Sequence, residues 1–400
     1  MAGRRTQLAA RRKARGFTQE SFAEELRVAT STVQRWESGV GDPQPHQRPK
    51  IAKLLEVTSK DLEELLTLDV RPVETVGSWT SNAEPQDDEM EAWELARRVQ
   101  ASDVGRETLI RLERSFDELA MAYPTTPPQV LLDKSRRHIS YVAHLLDGKK
   151  TLSEHRRLLL VGGWFSLFAA TLHIDLKDDA AAVARLQTAV ALSREAEHPE
   201  IEAWCFETNA WRVLTDGDYN RAVELSRIAQ SIAPPGTSAL IQATAQEGRA
   251  QARLCNRTET YTAINRVQAL SDSLGSPLHP KEHHYQYDPA KALSYTATTL
   301  AWLGDSAAEP YAREVITQLS PSGDFLKWPR RVASANIDLA LVLLNENRLD
   351  EACDAVQKAI LSGRVVPSNH WRALEVVAAV ERRSLPEAKD LREAYEGLNN

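Results

Sequence analysis

The first 68 residues alternate short, partly apolar segments with polar or proline-containing turns. Within segments such as "SFAEEL" and "TVQRWE", apolar residues recur three or four positions apart, which is the period of an amphipathic helix. Five short helices are predicted, with bounds 4–14, 19–26, 30–38, 47–55 and 59–67. No convincing alternating strand pattern follows in the rest of the chain, so the pattern predicts an all-α fold.

A change of pattern near residue 69 indicates a domain boundary. The stretch "DVRPVETVGSWTSNAEPQDDE" contains two prolines, several acidic residues and little periodicity, which is typical of a linker. We therefore predict an amino-terminal domain over 1–68 and a linker over 69–90. A helical connecting segment over 91–150 and a larger helical domain over 151–400 follow.

Beyond residue 152 the helical segments repeat. Each unit has a long helix rich in Ala and aromatic residues, a short polar turn, and a second helix. The turns are 39, 39, 48 and 43 residues apart, at Asp178, Gly217, Asn256, Gly304 and Asn347. Stacked antiparallel hairpins of this kind bury a continuous core. An irregular helical bundle is the alternative, because regular arrays of this type repeat every ~34 residues.

Charge is distributed unevenly along the chain. The net charge is −7, yet residues 1–68 contain 12 Lys and Arg against 9 Asp and Glu, and so carry +3. Six of these cations precede the first acidic residue, Glu20. A basic end on an acidic protein predicts that the amino-terminal domain contacts a polyanion while the remainder has another role.

Several classes of protein are disfavoured. The longest strongly apolar run, 158–170, is shorter than the roughly 18 residues that span a membrane, so a buried helix and no membrane partner are predicted. A basic start without a following apolar segment indicates a cytoplasmic protein. Cys205, Cys255 and Cys353 are too far apart for a disulfide framework or a zinc site, and buried positions are expected for them. We find no catalytic motif, and predict neither an enzyme nor a cofactor.

Residues 17–39, "FTQESFAEELRVATSTVQRWESG", contain two of the predicted helices. Apolar side chains on one face of each helix predict that the two cross closely, and these are Phe22, Ala23, Leu26, Val33 and Trp36. Thr18 occupies the position of an N-cap for the first helix. This packing leaves the outer face of the helix at 30–38 free to enter a DNA major groove.

Polar side chains on that outer face suit contacts to bases: Thr30, Ser31, Gln34 and Arg35. Hydroxyl and amide groups hydrogen-bond to base edges, and Arg makes a bidentate contact to guanine. Ordinary solvated helix surface is the alternative for each of them. In the basic cluster at 4–15, we predict that Arg4, Arg5 and Lys13 contact the DNA backbone, against the alternative of a solvated helix face.

The order of these features resembles the helix-turn-helix of phage-repressor-like regulators, the XRE or Cro/C1 family, over residues 4–68. The resemblance implies a five-helix, lambda-repressor-like domain that binds double-stranded DNA. It further implies that Gln19 contacts a phosphate and that Arg12 forms a structural salt bridge with Glu37.

Two residues depart from the pattern of that family. The family commonly has Gly in the turn where Arg27 stands, and often Ser or Thr at the cap position held by Ala29. A left-handed residue other than Gly and a missing cap each cost about 1 kcal/mol.

The whole layout resembles regulators of Gram-positive bacteria that join an XRE domain to a tetratricopeptide-like helical array. Some relatives with that architecture sense short peptides on the concave face, where amide side chains hold the peptide backbone. By helix position alone, the predicted ligand contacts are Asn209, Gln246, Arg249 and Asn336. Exposed polar side chains or hydrogen bonds between helices are the alternative for each.

Two further groups of residues have ordinary explanations. Six tryptophans are either the lining of an apolar groove or, more commonly at helical spacing, core residues: Trp164, Trp204, Trp211, Trp302, Trp328 and Trp371. The segment "SPLHPKEHHYQYDP" brings His279, His283, His284 and Asp288 close together, a set suited to zinc. We predict no metal site there, because the spacing lies in a loop and no cysteine joins it.

These patterns together predict a cytoplasmic, sequence-specific transcriptional regulator. One recognition helix covers only half an operator, so we expect a homodimer on an inverted repeat. The array is expected to dimerise and to sense a peptide, a small molecule or a partner. The alternative is a tetratricopeptide-like scaffold for protein–protein interaction with weak or no DNA binding.

Overall fold

The computed structural model describes residues 5–39, 41–44, 47–66, 95, 102–273, 283–287, 289–319 and 329–399. Every regular element within these ranges is helical, which confirms the predicted all-α fold. The chain divides into two compact units, Met1–Pro85 and Gln86–Asn400, and each is described by itself. The predicted linker at 69–90 lies outside the described residues.

The first unit contains five short helices: α1 (Thr6–Ala14), α2 (Gln19–Leu26), α3 (Thr30–Glu37), α4 (Arg48–Leu55) and α5 (Ser59–Leu66). Their bounds lie within two residues of the predicted ones. One core joins all five helices and includes Leu8, Phe22, Trp36, Leu55 and Leu62. The five predicted crossing residues of α2 and α3 are all buried.

The turn between α2 and α3 has the backbone that the sequence predicts. Thr18 and Ser21 form a reciprocal capping box at the start of α2, with the Ser21 amide donating to Thr18 Oγ1 at 3.1 Å. Arg27 ends α2 in the left-handed conformation, at φ 57° and ψ 46°. Ala29 precedes α3 without a side-chain cap. Both departures are therefore real, and packing against the core offsets their cost.

The second unit begins with two helices, α6 (Arg106–Ala122) and α7 (Pro128–Asp147), that pack on the next helix. Five helical hairpins follow: α8 (Leu152–Asp175) with α9 (Asp179–Glu195), α10 (Pro199–Thr215) with α11 (Tyr219–Ile232), α12 (Ser238–Arg253) with α13 (Arg257–Asp272), α14 (Pro289–Leu303) with α15 (Ala308–Leu319), and α16 (Pro329–Asn345) with α17 (Leu349–Leu361). A 3-10 turn (Pro367–Asn369), α18 (His370–Arg382) and α19 (Ala388–Glu396) follow the last hairpin. The predicted helical array is confirmed.

The five hairpin turns share one backbone conformation. A left-handed residue stands in each turn, at Lys177, Gly217, Cys255, Gly304 and Asn347. The next amide donates to the carbonyl five residues earlier, at 2.9 to 3.0 Å, as in the bonds Asp178–His173 and Arg348–Leu343. The five hairpins therefore share one turn geometry despite their unequal spacing, and the same geometry also occurs between two hairpins at Glu197. Cys255 is exposed at such a turn, so the predicted burial is wrong for it and correct for Cys205 and Cys353.

The first helices of the hairpins form an inner layer in which α8, α10, α12, α14 and α16 pack successively on one another. Small residues let neighbouring helices approach closely. A Cβ atom at Gly248 of α12 would lie only 3.0 Å from the Cβ atom of Ala263 on α13. The inner layer is consequently a tightly packed wall whose polar residues are held in place by their neighbours.

Helix α8 is the central helix of this unit. Among the described residues it is the one helix whose length and composition would allow it to cross a membrane, but 89% of its most apolar window is buried inside the protein. That burial confirms the predicted buried helix at 158–170. The segment 283–287 packs against it, since Tyr285 Oη lies 3.0 Å from Thr171 Oγ1.

Asp175, at the end of α8, joins the beginning of the array to its end. Its carboxylate accepts hydrogen bonds from Tyr123 Oη at 2.8 Å and Ser368 Oγ at 2.9 Å, and Arg330 Nη1 lies 3.3 Å away. Arg330 also donates to the Thr126 carbonyl at 2.8 Å. Burial raises the pKa of the Asp175 carboxyl. These contacts close the inner layer around an internal cavity.

Candidate functional site

Helix α3 separates its core and outer faces as predicted. Val33 and Trp36 point into the domain, with exposures of 1% and 4%. The predicted base-contacting side chains lie on the opposite side. Ser31, Gln34 and Arg35 are exposed, and Thr30 is half-buried at the first position of the helix.

Arg35 is the outer-face residue best suited to a base contact. Its guanidinium has no hydrogen-bond or ion-pair partner among the described residues, although its main-chain carbonyl accepts a bond from the Gly41 amide at 3.2 Å. The N–H groups of the Arg35 guanidinium, which form a fork of parallel donors, therefore face solvent. Such a fork matches the paired acceptors of guanine in a major groove.

A hydrogen-bonded network joins the framework of the domain to this face. Arg12 Nε donates to Glu37 Oε1 at 2.6 Å, which confirms the predicted salt bridge. Glu37 Oε2 accepts from Gln19 Nε2 at 2.6 Å, and Gln34 Nε2 donates to Gln19 Oε1 at 3.4 Å. Helix α1 thus orients Gln34 on α3 through a carboxylate and an amide. Gln19 Nε2 has a second hydrogen that this network does not use. Its predicted contact to a phosphate therefore stays a prediction.

The predicted DNA contact of Arg5 is wrong. Its guanidinium is buried and donates to the carbonyls of Leu66 at 2.6 Å, Trp36 at 3.1 Å and Gly41 at 2.8 Å, and it also pairs with Asp42. Arg5 therefore ties the start of α1 to the ends of α3 and α5. The sequence could not reveal this, because its partners lie 31 to 61 residues away.

Other cations of the basic cluster are also structural. Arg11 donates to two carbonyl groups at the end of α4, and Arg15 pairs with the Glu56 carboxylate. Lys13 is exposed and has no partner among the described residues, so its predicted backbone contact stays open. Arg4 lies outside the described residues.

Residues 8–62 match the family model described as helix-turn-helix. This segment is an XRE-family helix-turn-helix domain. The match runs from within α1 to within α5 and supports a DNA-binding regulator of the XRE kind. No curated protein matches the chain. The second unit is thus interpreted from its own structure.

The four predicted ligand residues of the array do not converge. Gln246 is completely buried and accepts from Arg249 Nη1 at 3.0 Å, so a direct ligand contact is wrong for it. Asn209 accepts from Arg212 Nε at 3.0 Å. It lies outside the cavity between the inner helices, which we call the main cavity. Asn336 donates to the carbonyl of Val332 at 2.9 Å and borders a different groove. Arg249 alone among the four lines the main cavity.

The main cavity is lined by the inner helices, is partly open to solvent, and has a volume of about 170 Å³. Two of the six predicted tryptophans, Trp204 and Trp211, line it, whereas Trp302 and Trp371 stack on each other outside it and Trp328 lies beyond the described residues. Six cationic side chains line it against two acidic ones, Asp175 and Glu207. The cavity of an acidic unit is therefore strongly basic, which composition alone did not indicate.

The predicted histidine cluster is only partly described. His283 and His284 pack against aromatic rings, with the His284 ring centroid 4.3 Å from that of Tyr123. His279 and Asp288 lie outside the described residues. His284 borders the main cavity and is therefore an inner-layer residue of the array.

Acid is expected to destabilise the second unit through His284. Burial, and then the positive charges of Lys291 and neighbouring cations, hold the pKa of His284 well below its usual value. The unfolded chain takes up this proton near pH 6.5 but the folded chain does not, so the free energy of unfolding falls as the pH drops below about 6.5. The slope for one such proton reaches about 1.4 kcal/mol per pH unit.

Urea unfolding between pH 8 and pH 5 measures this effect. His284→Phe keeps a ring at this position but removes the titrating group. The free energy of unfolding of this variant should therefore fall less steeply toward acid pH than that of the wild type. His144→Gln, a change on the exposed face of α7, is the control and should keep the wild-type slope. An unchanged slope in His284→Phe would assign the acid sensitivity to other groups.

Proposed function

We propose that the protein is a sequence-specific transcriptional regulator whose α3 helix binds an operator in the major groove. The observation that carries the proposal is that the arginines of the first unit differ in whether their donors are hydrogen-bonded within the domain. Arg5, Arg11 and Arg12 donate to groups inside the domain, whereas the guanidinium of Arg35 on the outer face has no partner among the residues that the structure describes. An exposed donor fork next to Ser31 and Gln34 suits base readout.

The proposal further includes a homodimer in the cytoplasm, bound to an operator with two half-sites. A single helix-turn-helix reads one half-site, and two-fold symmetric proteins bind two-fold symmetric sites. The second unit supplies dimerisation and effector sensing in this proposal, and has no catalytic role. A ligand that binds one arrangement of the array more tightly than another would change the spacing of the two DNA-binding domains.

The proposal predicts a selective loss of operator binding in Arg35→Ala. DNA is first selected from a randomised library by the full chain, and affinities are then measured by mobility shift across a salt series. Loss of one bidentate contact to guanine is worth ~1–3 kcal/mol, so binding should weaken about 5- to 150-fold at the selected site. Nonspecific binding should change little, since it depends on phosphate contacts.

Two matched variants sharpen the experiment. Lys13→Ala should weaken binding to all sequences alike and reduce the salt slope by about one. Arg15→Ala, whose partner is Glu56, should leave both affinity and slope unchanged. Weak binding without sequence preference, equal in wild type and Arg35→Ala, would instead favour the scaffold alternative.

A further inference from the structure

Two arginines one helical turn apart on α12 both stack on aromatic rings, share the Trp302 ring, and differ in their acidic partner. Arg253 stacks over the rings of Trp302 and Trp371 at 4.5 and 4.9 Å. Both of its terminal nitrogens donate to the Glu375 carboxylate, at 3.0 and 2.8 Å. The Arg253 guanidinium therefore has aromatic faces above its plane and a carboxylate at its terminal edge, although its Nε atom, like that of Arg249, has no hydrogen-bond partner among the described residues.

Arg249 has the aromatic faces but lacks the carboxylate. Its guanidinium lies 5.0 Å from the ring of Tyr295 and 4.8 Å from that of Trp302. Among the described residues no carboxylate lies within ion-pair distance of Arg249, and its Nε atom has no hydrogen-bond partner. The side chain is only 7% exposed. Burial lowers the pKa of Arg249, yet a guanidinium keeps its proton in proteins, so this buried cation is attracted by Asp338 and Glu207 only from beyond ion-pair distance.

The wall around Arg249 also favours a negative ligand. Its two acidic groups are already engaged, because Asp175 binds Tyr123 and Ser368, and Glu207 accepts from Gln242 Nε2 at 3.0 Å. Burial raises the pKa of the Glu207 carboxyl, which weakens its ability to neutralise the cations. Trp204 and Trp211 supply apolar surface beside these groups.

We propose that this cavity binds a small organic anion, a carboxylate attached to a planar apolar group, with Arg249 as its bidentate partner. The ligand carboxylate takes the place at Arg249 that Glu375 takes at Arg253. A cavity of about 170 Å³ accommodates one aromatic ring, since a cavity of ~150 Å³ holds benzene. The carboxylate belongs either to a free acid of this size or to the carboxyl terminus of a peptide.

The ligand also lies where it influences the whole array. The lining includes residues of α8, α10, α12, α14 and α16, together with the closing segment near Asn369. An anion bound there bridges the helices that the Asp175 contacts hold together. Its role as the effector rests on the proposed function, but binding itself requires no DNA.

Calorimetric titration of the full chain without DNA tests the site. The acid probes are benzoate, 3-phenylpropionate and indole-3-acetate, each beside its neutral primary amide. A tripeptide ending in Phe is used with a free and with an amidated carboxyl terminus. We expect acids to bind and amides to fail, and we expect the affinity for acids to fall about 10- to 100-fold in Arg249→Met. Binding by the free-acid tripeptide alone would identify a peptide terminus as the source.

Arg253→Met is the matched control. It should retain the affinity for acids, because Arg253 does not line the cavity, but it should lower the melting temperature by removing both the pair with Glu375 and the stacking on Trp302 and Trp371. Arg249→Met should melt at the wild-type temperature or higher without ligand, since it removes a buried charge that has no ion pair. The proposal is overturned if no acid binds at about 10 mM, a very weak affinity. Equal binding of acids and amides, or a melting temperature for Arg249→Met as low as that of Arg253→Met, would also overturn it.

These results remain distinct from those on the proposed function. Failure of acids to bind, with operator binding intact, would overturn the anion site but not the proposed regulator. Acid binding without any operator preference would overturn the proposed regulator but not the ligand-binding array.

Discussion

Arg12→Ala is expected to unfold the helix-turn-helix domain inside the full chain. Arg12 is buried, and its partner Glu37 is the residue through which α1 is connected to Gln19 and Gln34. Removing one member of a buried ion pair costs about 3–5 kcal/mol, because the other charge stays buried without compensation. A core of this size contributes a net stability of about the same magnitude.

Hydrogen exchange measured by mass spectrometry on the full chain reports this loss for α1 to α3 separately from the array. Their amides should lose protection in Arg12→Ala, while peptides from the array keep theirs. Arg15→Ala is the control on the same helix. Its pair with Glu56 is partly exposed, so a loss of at most about 1 kcal/mol is expected. Protected amides in Arg12→Ala would show that Glu37 is stabilised by Gln19 alone.

Asp338→Ala is expected to destabilise the second unit by a similar amount. Asp338 and Arg372 form an ion pair with exposures of 1% and 2%, and Thr298 Oγ1 donates to the same carboxylate at 2.6 Å. Without Asp338 the Arg372 guanidinium remains buried over the Trp302 ring, 5.3 Å from its centroid. A loss of about 3–5 kcal/mol follows from that unpaired charge.

Urea unfolding followed by circular dichroism measures this change. The double variant Asp338→Leu with Arg372→Met removes both charges, and it should be more stable than Asp338→Ala. Asp354→Ala, which breaks the exposed pair with Lys358, is the control and should cost under about 1 kcal/mol. If the double variant were less stable than Asp338→Ala, the two side chains would stabilise the array by more than the neutralisation of each other's charge.

The fold was predictable because it depends on short-range signals. Apolar spacing places Phe22, Val33 and Trp36 on inner faces, and the cap at Thr18 fixes where α2 begins. The repeated hairpins were found by the Gly, Asp and Asn residues of their turns, because these residues are local signals. The unequal spacing between turns reflects different helix and loop lengths around one conserved backbone conformation.

The roles of individual cations were not predictable in the same way. Arg5, Arg12 and Lys13 share one basic segment, yet the first two are buried structural donors and the third is exposed. Arg249 and Arg253 differ in their acidic partner because Glu375, more than a hundred residues away, reaches only one of them. The predicted ligand amides failed for the same reason, since helix position does not specify which side chain reaches the cavity.

The sequence by itself determined the helical class, the bounds of the five amino-terminal helices, the outer face of α3 and the repetition of the array. Those properties follow from periodicity, caps and turns, which act over a few residues. Only the tertiary structure decided which charges are neutralised and which remain open. Partners for Arg5 and Asp175 come from distant segments, and the free energy of a buried charge depends on the groups that folding brings beside it.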